Sequence, residues 1–166
     1  RHAGATVLAT VRSDRDKLLA QRAGDDHVFV TSGQSPHAVL DRLRACAPDG
    51  VDHIIEVAFS ANIALDEQIL RPGGSIAAYA TGEPNPTLPF WPLVFKNVTV
   101  FFLGSDDFPV SAKMEAAHGL NEALEAGWAG FDIQARYPLQ AIVLAHETVD
   151  RGGSAGRVVL NLGADA

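Results

Sequence analysis

Short apolar runs separated by amphipathic stretches recur along this chain. Ala5–Val11 is a seven-residue run of apolar and β-branched residues, the composition of a strand buried on both faces of a parallel sheet. Ser13 with Asp16 three positions on is a capping pattern for a helix over 14–23, which Gly24 ends. A short strand at His27–Val30 follows. Ser35-Pro36 then opens a second helix, because serine caps and proline suits the first helical position. That helix carries Val39, Leu40 and Leu43 at helical spacing and stops before Pro48-Asp49-Gly50. Val51–Ala58 reads as a strand, and Ala61–Leu70 as a helix closed by Arg71-Pro72-Gly73-Gly74. Ser75–Ala80 is another strand. Gly82–Pro92 holds four prolines, which exclude a regular helix or a central strand. The pattern then predicts a strand over Asn97–Leu103 and a helix from about Ser111 to Ala126. Pro138 opens a last helix running to about Asp150, and Arg157–Leu162 is the final strand.

Strands alternate with helices, so each crossover lays its helix on a face of the sheet, and the predicted fold is a doubly wound parallel α/β sheet. No internal repeat or long linker divides the 166 residues, which are expected to form a single domain. Hydrophobic residues make up 47% and charged residues 20%, a globular rather than a disordered composition. The net charge of −7 argues against a phosphate-backbone binder. No apolar stretch is long enough to span a membrane. Cys46 is the one cysteine, so neither an internal disulfide nor a cysteine-built zinc site is open to the chain, and a reducing, cytoplasmic setting is expected. No signal peptide is recognisable at the amino end. The first residue is Arg1 and the one methionine is Met114, so further sequence upstream is expected.

In such a sheet ligands bind at the carboxyl ends of the strands. After the first strand stand Arg12, Ser13 and Arg15, two guanidiniums and a hydroxyl suited to a ribose 2′-phosphate, with Asp14 as the discordant charge. The plain alternative is a capped helix start with solvated arginines. Histidines at 2, 27, 37, 53, 118 and 146 show no metal-ligand spacing, and His53 and His146 are expected to be structural and hydrogen-bonded. Cys46, between Ala45 and Ala47, reads as a small buried hydrophobe. Asp25-Asp26 precedes its strand and reads as a solvated loop. The Gly152-Gly153-Ser154-Ala155-Gly156 stretch reads as a turn, because a strand rather than a helix follows it. There is no Gly-x-Ser-x-Gly elbow, and neither Tyr79 nor Tyr137 starts a Tyr-x-x-x-Lys pair. No self-sufficient catalytic constellation is present, and no metal site is assigned.

The order of segments resembles one family closely. Gly4-Ala5-Thr6-Val7 leads into Ala9-Thr10-Val11-Arg12-Ser13, then Ala23-Gly24-Asp25-Asp26-His27-Val28 and Gly50-Val51-Asp52-His53-Ile54-Ile55-Glu56. Leu70-Arg71-Pro72-Gly73-Gly74-Ser75 follows, and later Tyr137-Pro138-Leu139, Ala145-His146-Glu147 and Gly156-Arg157-Val158-Val159-Leu160. Together they resemble the cofactor-binding, Rossmann-like half of a zinc-free medium-chain dehydrogenase/reductase of the quinone oxidoreductase, or zeta-crystallin, branch.

The resemblance implies an oxidoreductase that moves hydride from NADPH to a quinone or an activated carbonyl or alkene. It places Arg12, Ser13 and Arg15 by the adenosine 2′-phosphate and Thr31 where the family often has tyrosine. Ala58 and Phe59 fall beside the adenine and its ribose, and Tyr79, Ala80 and Thr81 beside the nicotinamide ribose. Phe102, Leu103 and Gly104 fall near the carboxamide, and Arg157 near the cofactor phosphates. The family's first strand, its Gly-rich pyrophosphate loop and its substrate domain would precede Arg1, so the isolated chain is expected to hold NADPH poorly and to catalyse nothing. Loss of that central strand would leave two unpaired edges inside the sheet. The expected partners are the nicotinamide cofactor, a small electron acceptor in the complete protein, a separate upstream chain, and a second copy paired through Asn97–Leu103. Neither nucleic acid nor membrane is expected to bind. The alternative is a non-catalytic Rossmann-like module kept for binding or assembly.

Overall fold

The computed structural model describes residues 3–152 and 156–163. Two compact units are present, one up to Ala116 and one from Ala117, with the boundary inside a long helix. The first unit opens with β1 (Leu8–Val11), α1 (Asp14–Ala23), β2 (His27–Val30) and α2 (Pro36–Cys46). It continues with β3 (Val51–Glu56), α3 (Phe59–Ile69), β4 (Leu70–Ala78), α4 (Phe90–Phe95) and β5 (Thr99–Phe102). After α5 (Val110–Glu125) come β6 (Ile133–Pro138), α6 (Ile142–Asp150) and β7 (Arg157–Asn161). All pairings are parallel: β1 with β2, β4 between β3 and β5, and β6 with β7. This is the α/β, Rossmann-like alternation expected.

Local chemistry accounts for most of the boundaries. The Ser13 hydroxyl accepts from the Asp16 amide at 3.2 Å and donates to its carboxylate at 2.7 Å, which starts α1. Gly24 ends it in the left-handed region. Ser35 accepts from the Ala38 amide and Pro36 takes the first turn of α2. The run at 5–11 yields a strand only from Leu8, because the Val7 amide is taken by the Asp26 side chain instead of a ladder partner. Asp25-Asp26 is therefore more than a solvated loop: Asp26 ties the entry of β1.

Four further differences have clear causes. Arg71–Gly74, expected to close a helix, lies within β4 as a bulge: Val51 pairs with Leu70, and the next pair is His53 with Ser75. The Arg71 guanidinium there meets the Asp52 carboxylate at 2.6 Å. The proline-rich window ends in a short helix, α4, which tolerates Pro92 because the residue lies in the first turn, where its missing N–H costs no bond. β5 begins only at Thr99, because Asn97 turns the chain through a positive φ of 54°. Pro138 ends a strand that the sequence reading lacked, and the last helix starts at Ile142 after a 3-10 turn at Leu139–Ala141.

The core of the first unit has two clusters. Phe59, Ile63, Leu70, Ile76, Ala78 and Leu93 pack together, with Ile76 wholly inaccessible. Phe29, Val39, Leu40, Leu43 and Ile69 form the second, against Leu8, Val51 and Ile54. Burying one such side chain is worth about 1.5–3 kcal/mol. The second cluster spans both sheet pieces of the unit, whose facing strands have no ladder: among the described residues β1 pairs with β2 alone and β3 with β4 alone. No helix among the described residues is long and apolar enough to cross a membrane.

Gly50, at φ +85° before β3, stands in a tight turn. A Cβ there would lie 2.7 Å from the Ile69 carbonyl oxygen and 2.8 Å from the Arg71 nitrogen, both backbone atoms. Gly33 has a similar φ of +74° but open space around it. Gly33→Ala should cost about 1–2 kcal/mol of strain, and Gly50→Ala clearly more. Urea unfolding of the two variants checks the order; equal losses would show that the Gly50 contact is not limiting.

Candidate functional site

The carboxyl ends of β3, β4 and β5 meet around a cavity of about 580 Å³. Backbone bonds fix their relative heights: the Tyr79 amide donates to the Glu56 carbonyl at 3.1 Å, and the Leu103 amide to the Ala78 carbonyl at 2.9 Å. The Phe59 amide reaches the Ala80 carbonyl at 3.2 Å, which joins the start of α3 to the end of β4. Gly82 N–H donates to the Ser60 hydroxyl at 3.2 Å, fixing the start of the proline-rich segment. Edge-to-face packing of Phe59 on Phe102, with centroids 5.5 Å apart, shapes one wall.

Seven of the residues singled out in the sequence line this cavity. Phe59 comes from α3, Tyr79, Ala80 and Thr81 follow β4, and Phe102, Leu103 and Gly104 end β5. Ala58 is the residue before α3, next in sequence to Phe59 but not itself part of that lining. Ala78, Pro86 and Leu88 also line the cavity, though the sequence reading passed over them. The last two come from the proline-rich segment, whose lack of periodicity conceals its role as a wall.

The other candidates lie elsewhere. Arg12, Ser13 and Arg15 sit at the carboxyl end of β1, outside the cavity lining. Both arginines are exposed, and neither is ion-paired among the described residues. The Ser13 hydroxyl is engaged with Asp16 in both directions, so binding an anion with its proton means releasing that carboxylate. Thr31 ties the end of β2 to β1, its amide and hydroxyl both donating to the Val11 carbonyl, at 2.8 and 3.1 Å. Arg157, in the second unit, stacks its guanidinium 4.7 Å over the Phe131 ring.

Two readings of single residues change. Cys46 is exposed, because it is the last residue of α2, beyond the packed Val39–Leu43 stretch. His146 is exposed on α6 and takes no hydrogen bond among the described residues, whereas His53 bonds the Ser75 hydroxyl at 2.7 Å as expected. Among the described residues no group of three or more His, Cys, Asp or Glu could hold a metal ion. Arg1, His2 and the 153–155 part of the glycine-rich stretch lie outside the described residues.

The sequence reading missed a buried acidic pair behind the cavity. Glu56, at the end of β3, accepts from the Ala58 amide and from Asn62 Nδ2, the latter at 3.1 Å to Oε1 and 3.2 Å to Oε2. Asp66, on α3, is 6% exposed, and its Oδ2 has no partner. Burial, reinforced by the adjacent Glu56, pushes the Asp66 carboxyl up to about 8 from its ordinary 3.8. A carboxylate set inside the apolar run Ile54-Ile55-Glu56-Val57-Ala58-Phe59 is the one local signal for it.

Residues 1–117 match the family described as zinc-binding dehydrogenase. The quinone oxidoreductase of Lama guanicoe is 26% identical over 162 residues, covering 94% of this chain and 47% of its own length. The chain thus spans about half the length of the curated relatives it matches. A 2-haloacrylate reductase structure superposes with a TM-score of 0.85 at 24% identity, over 99% of this chain and 52% of that one. A mycobacterial protein solved in complex with NADPH gives 0.78 at 21% identity, over 97% of this chain and 50% of its own. At these identities the structures establish the fold alone.

The raised pKa of Asp66 sets a sign for stability against pH. Between about pH 4 and 8 the native chain holds a proton on this carboxyl that the unfolded chain has lost. That contribution is fully present below about pH 4, declines as the pH rises, and is gone above about pH 8. The limiting slope is about 1.4 kcal/mol per pH unit. Asp66→Asn should flatten the profile, so its stability relative to the parent should rise steadily with pH. Urea unfolding across that range checks it; parallel profiles would show that Asp66 does not hold the proton.

Proposed function

Because the chain belongs to the zinc-binding dehydrogenase family, as a carboxyl-terminal cofactor-binding domain of medium-chain dehydrogenases and reductases, we propose that it forms the NADPH-binding part of a cytoplasmic, zinc-independent oxidoreductase. The reaction in this reading is hydride transfer to a quinone or an activated carbonyl or alkene, carried out by the whole protein.

The observation that carries the reading is the cavity at the carboxyl ends of three parallel strands, the position at which doubly wound sheets take their ligands. Its size suits a small-molecule site, and its aromatic, mostly apolar lining suits a planar ring. Phe59, expected from the sequence beside the adenine, packs instead on Phe102, so in this reading Phe59, Phe102 and Leu103 would flank the nicotinamide half, and Tyr79 to Thr81 would follow its ribose. When bound, the nicotinamide supplies the hydride. The chain's own residues then orient the ring and exclude water, and none is assigned as a general acid. The quinone acceptor is supported by the name of the Lama guanicoe relative, and the activated alkene by that of the haloacrylate reductase.

Preference for NADPH over NADH rests on Arg12 and Arg15, two exposed guanidiniums flanking Ser13 at the end of β1. In the complete protein, replacing both with Ala should weaken NADPH by about 2–4 kcal/mol and leave NADH nearly unchanged. Calorimetric titration with each cofactor decides this, since equal losses would mean that the site is misassigned.

A second copy of the chain is proposed to pair along β5, whose outer edge is unpaired among the described residues and whose Phe101 is half exposed. Phe101→Glu would place like charges across that contact and should shift the protein to monomer in sedimentation velocity. An unchanged oligomer would put the contact elsewhere.

A further inference from the structure

The buried acids behind the cavity have no part in the reading so far. Glu56 is supplied with donors: the Ala58 amide and the Asn62 side-chain amide reach Oε1 and the latter alone reaches Oε2, which keeps a lone pair free. Asp66 is not, since its Oδ2 has no donor, and its neighbour Glu56 is itself an acceptor when ionised. The one hydrogen bond the two acids can make needs a proton between them. Other charges on adjoining elements are engaged elsewhere: Glu67 on α3 pairs with Lys96 at the end of α4 at 3.0 Å, and Arg44 of α2 donates to the Gln68 carbonyl at 3.3 Å. Glu56 is thus the charge that acts on Asp66.

Glu56 is also the point at which three cavity segments meet. Its side chain holds the Ala58 amide, and so the turn that delivers Phe59 to the cavity wall. Its carbonyl holds the Tyr79 amide. Through the bond from Phe59 to Ala80 and the packing of Phe59 on Phe102, that one residue is tied to the ends of both β4 and β5. Two ionised carboxylates side by side in this apolar setting repel, and the strain falls on the Glu56 head group and the amide it holds.

We propose that Glu56 and Asp66 are a proton-sharing positioning pair for the cofactor cavity, in which the shared proton keeps the Ala58–Phe59 turn in place and its loss loosens the grip on the nicotinamide cofactor. This rests on the NADPH-binding reading above. The pair acts only through the turn and touches no cofactor atom itself.

The test follows two quantities in the complete protein that carries this chain, from about pH 6 to about pH 10: the backbone amide resonances of Ala58 and Phe59, and the dissociation constant for NADPH. Both amides are expected to titrate together near pH 8, and NADPH to bind at least about fivefold more weakly above that midpoint than below it. Asp66→Asn replaces the shared proton with an amide donor that cannot ionise, and should leave both quantities flat at their low-pH values. Glu56→Gln removes the neighbouring charge and should move the midpoint to lower pH, a displacement that a merely structural side chain would not produce. Amides that do not titrate in the parent, or that still titrate in Asp66→Asn, would overturn the proposal. So would an NADPH affinity that stays constant while the turn titrates, with the cofactor reading intact. Absence of NADPH binding at every pH would instead overturn the cofactor reading, and the cavity role of the pair would fall with it even if the turn titrates.

Discussion

β4 lies between β3 and β5, and its parallel register with both underlies the rest of the first unit. Ile76 stands in register with Ile54 on one side and Val100 on the other, and packs with Phe59, Ile63 and Leu93. A slip of one residue would bring Ser75 and Ala77 into that core and turn Ile76 out of it. The same slip would part the Tyr79 amide from Glu56 and the Leu103 amide from Ala78. Register and cavity geometry are therefore one constraint. The bulge at Arg71–Gly74 takes up the mismatch in length between β3 and the start of β4, so that the strand ends come out level where the cavity forms.

The two sheet pieces of the first unit are held together differently. Within each, backbone ladders do the work; between them, Ile69, Phe29 and the inward face of α2 form a cluster of side chains alone. Apolar packing is non-directional, whereas a ladder fixes angle and height. The arginines at the end of β1 are thus placed, relative to the cavity, by a softer joint than the one that places Phe59 relative to Phe102.

What the sequence reveals and what it conceals divides along the range of the interactions. Ser13 with Asp16, Ser35 with Pro36, and Gly24 act over three or four residues, and the ends of α1 and α2 can be read from them. The apolar runs likewise place β2, β3 and β5 to within a few residues. Pro138 and Pro92 mislead, because proline is compatible with a strand end and with a helix start, and the choice is made by β7 in one case and by the first-turn position in the other. Cys46 continues the buried face of α2 by spacing, but only the position of the neighbouring elements shows that the core has ended there. For the cavity, the ends of strands are legible and the proline wall is not. The Glu56–Asp66 pair is hidden because the two residues belong to different elements, and only the packing of α3 on β3 brings them together.

The proline-rich stretch is anchored at both of its ends. At one end Gly82 is held by Ser60; at the other Lys96 donates to the Glu67 and Leu70 carbonyls, supplying α3 with the positive charge that its own last turn lacks. The Gly73 amide also reaches the Lys96 carbonyl, at 2.7 Å. A segment clamped at both feet and stiffened by Pro84, Pro86 and Pro89 has little slack, and behaves as a fixed cornice over the cavity rather than as a hinged flap. A single protease nick along it would leave each half attached at its own foot, so the cut protein would keep its shape until the chain was unfolded.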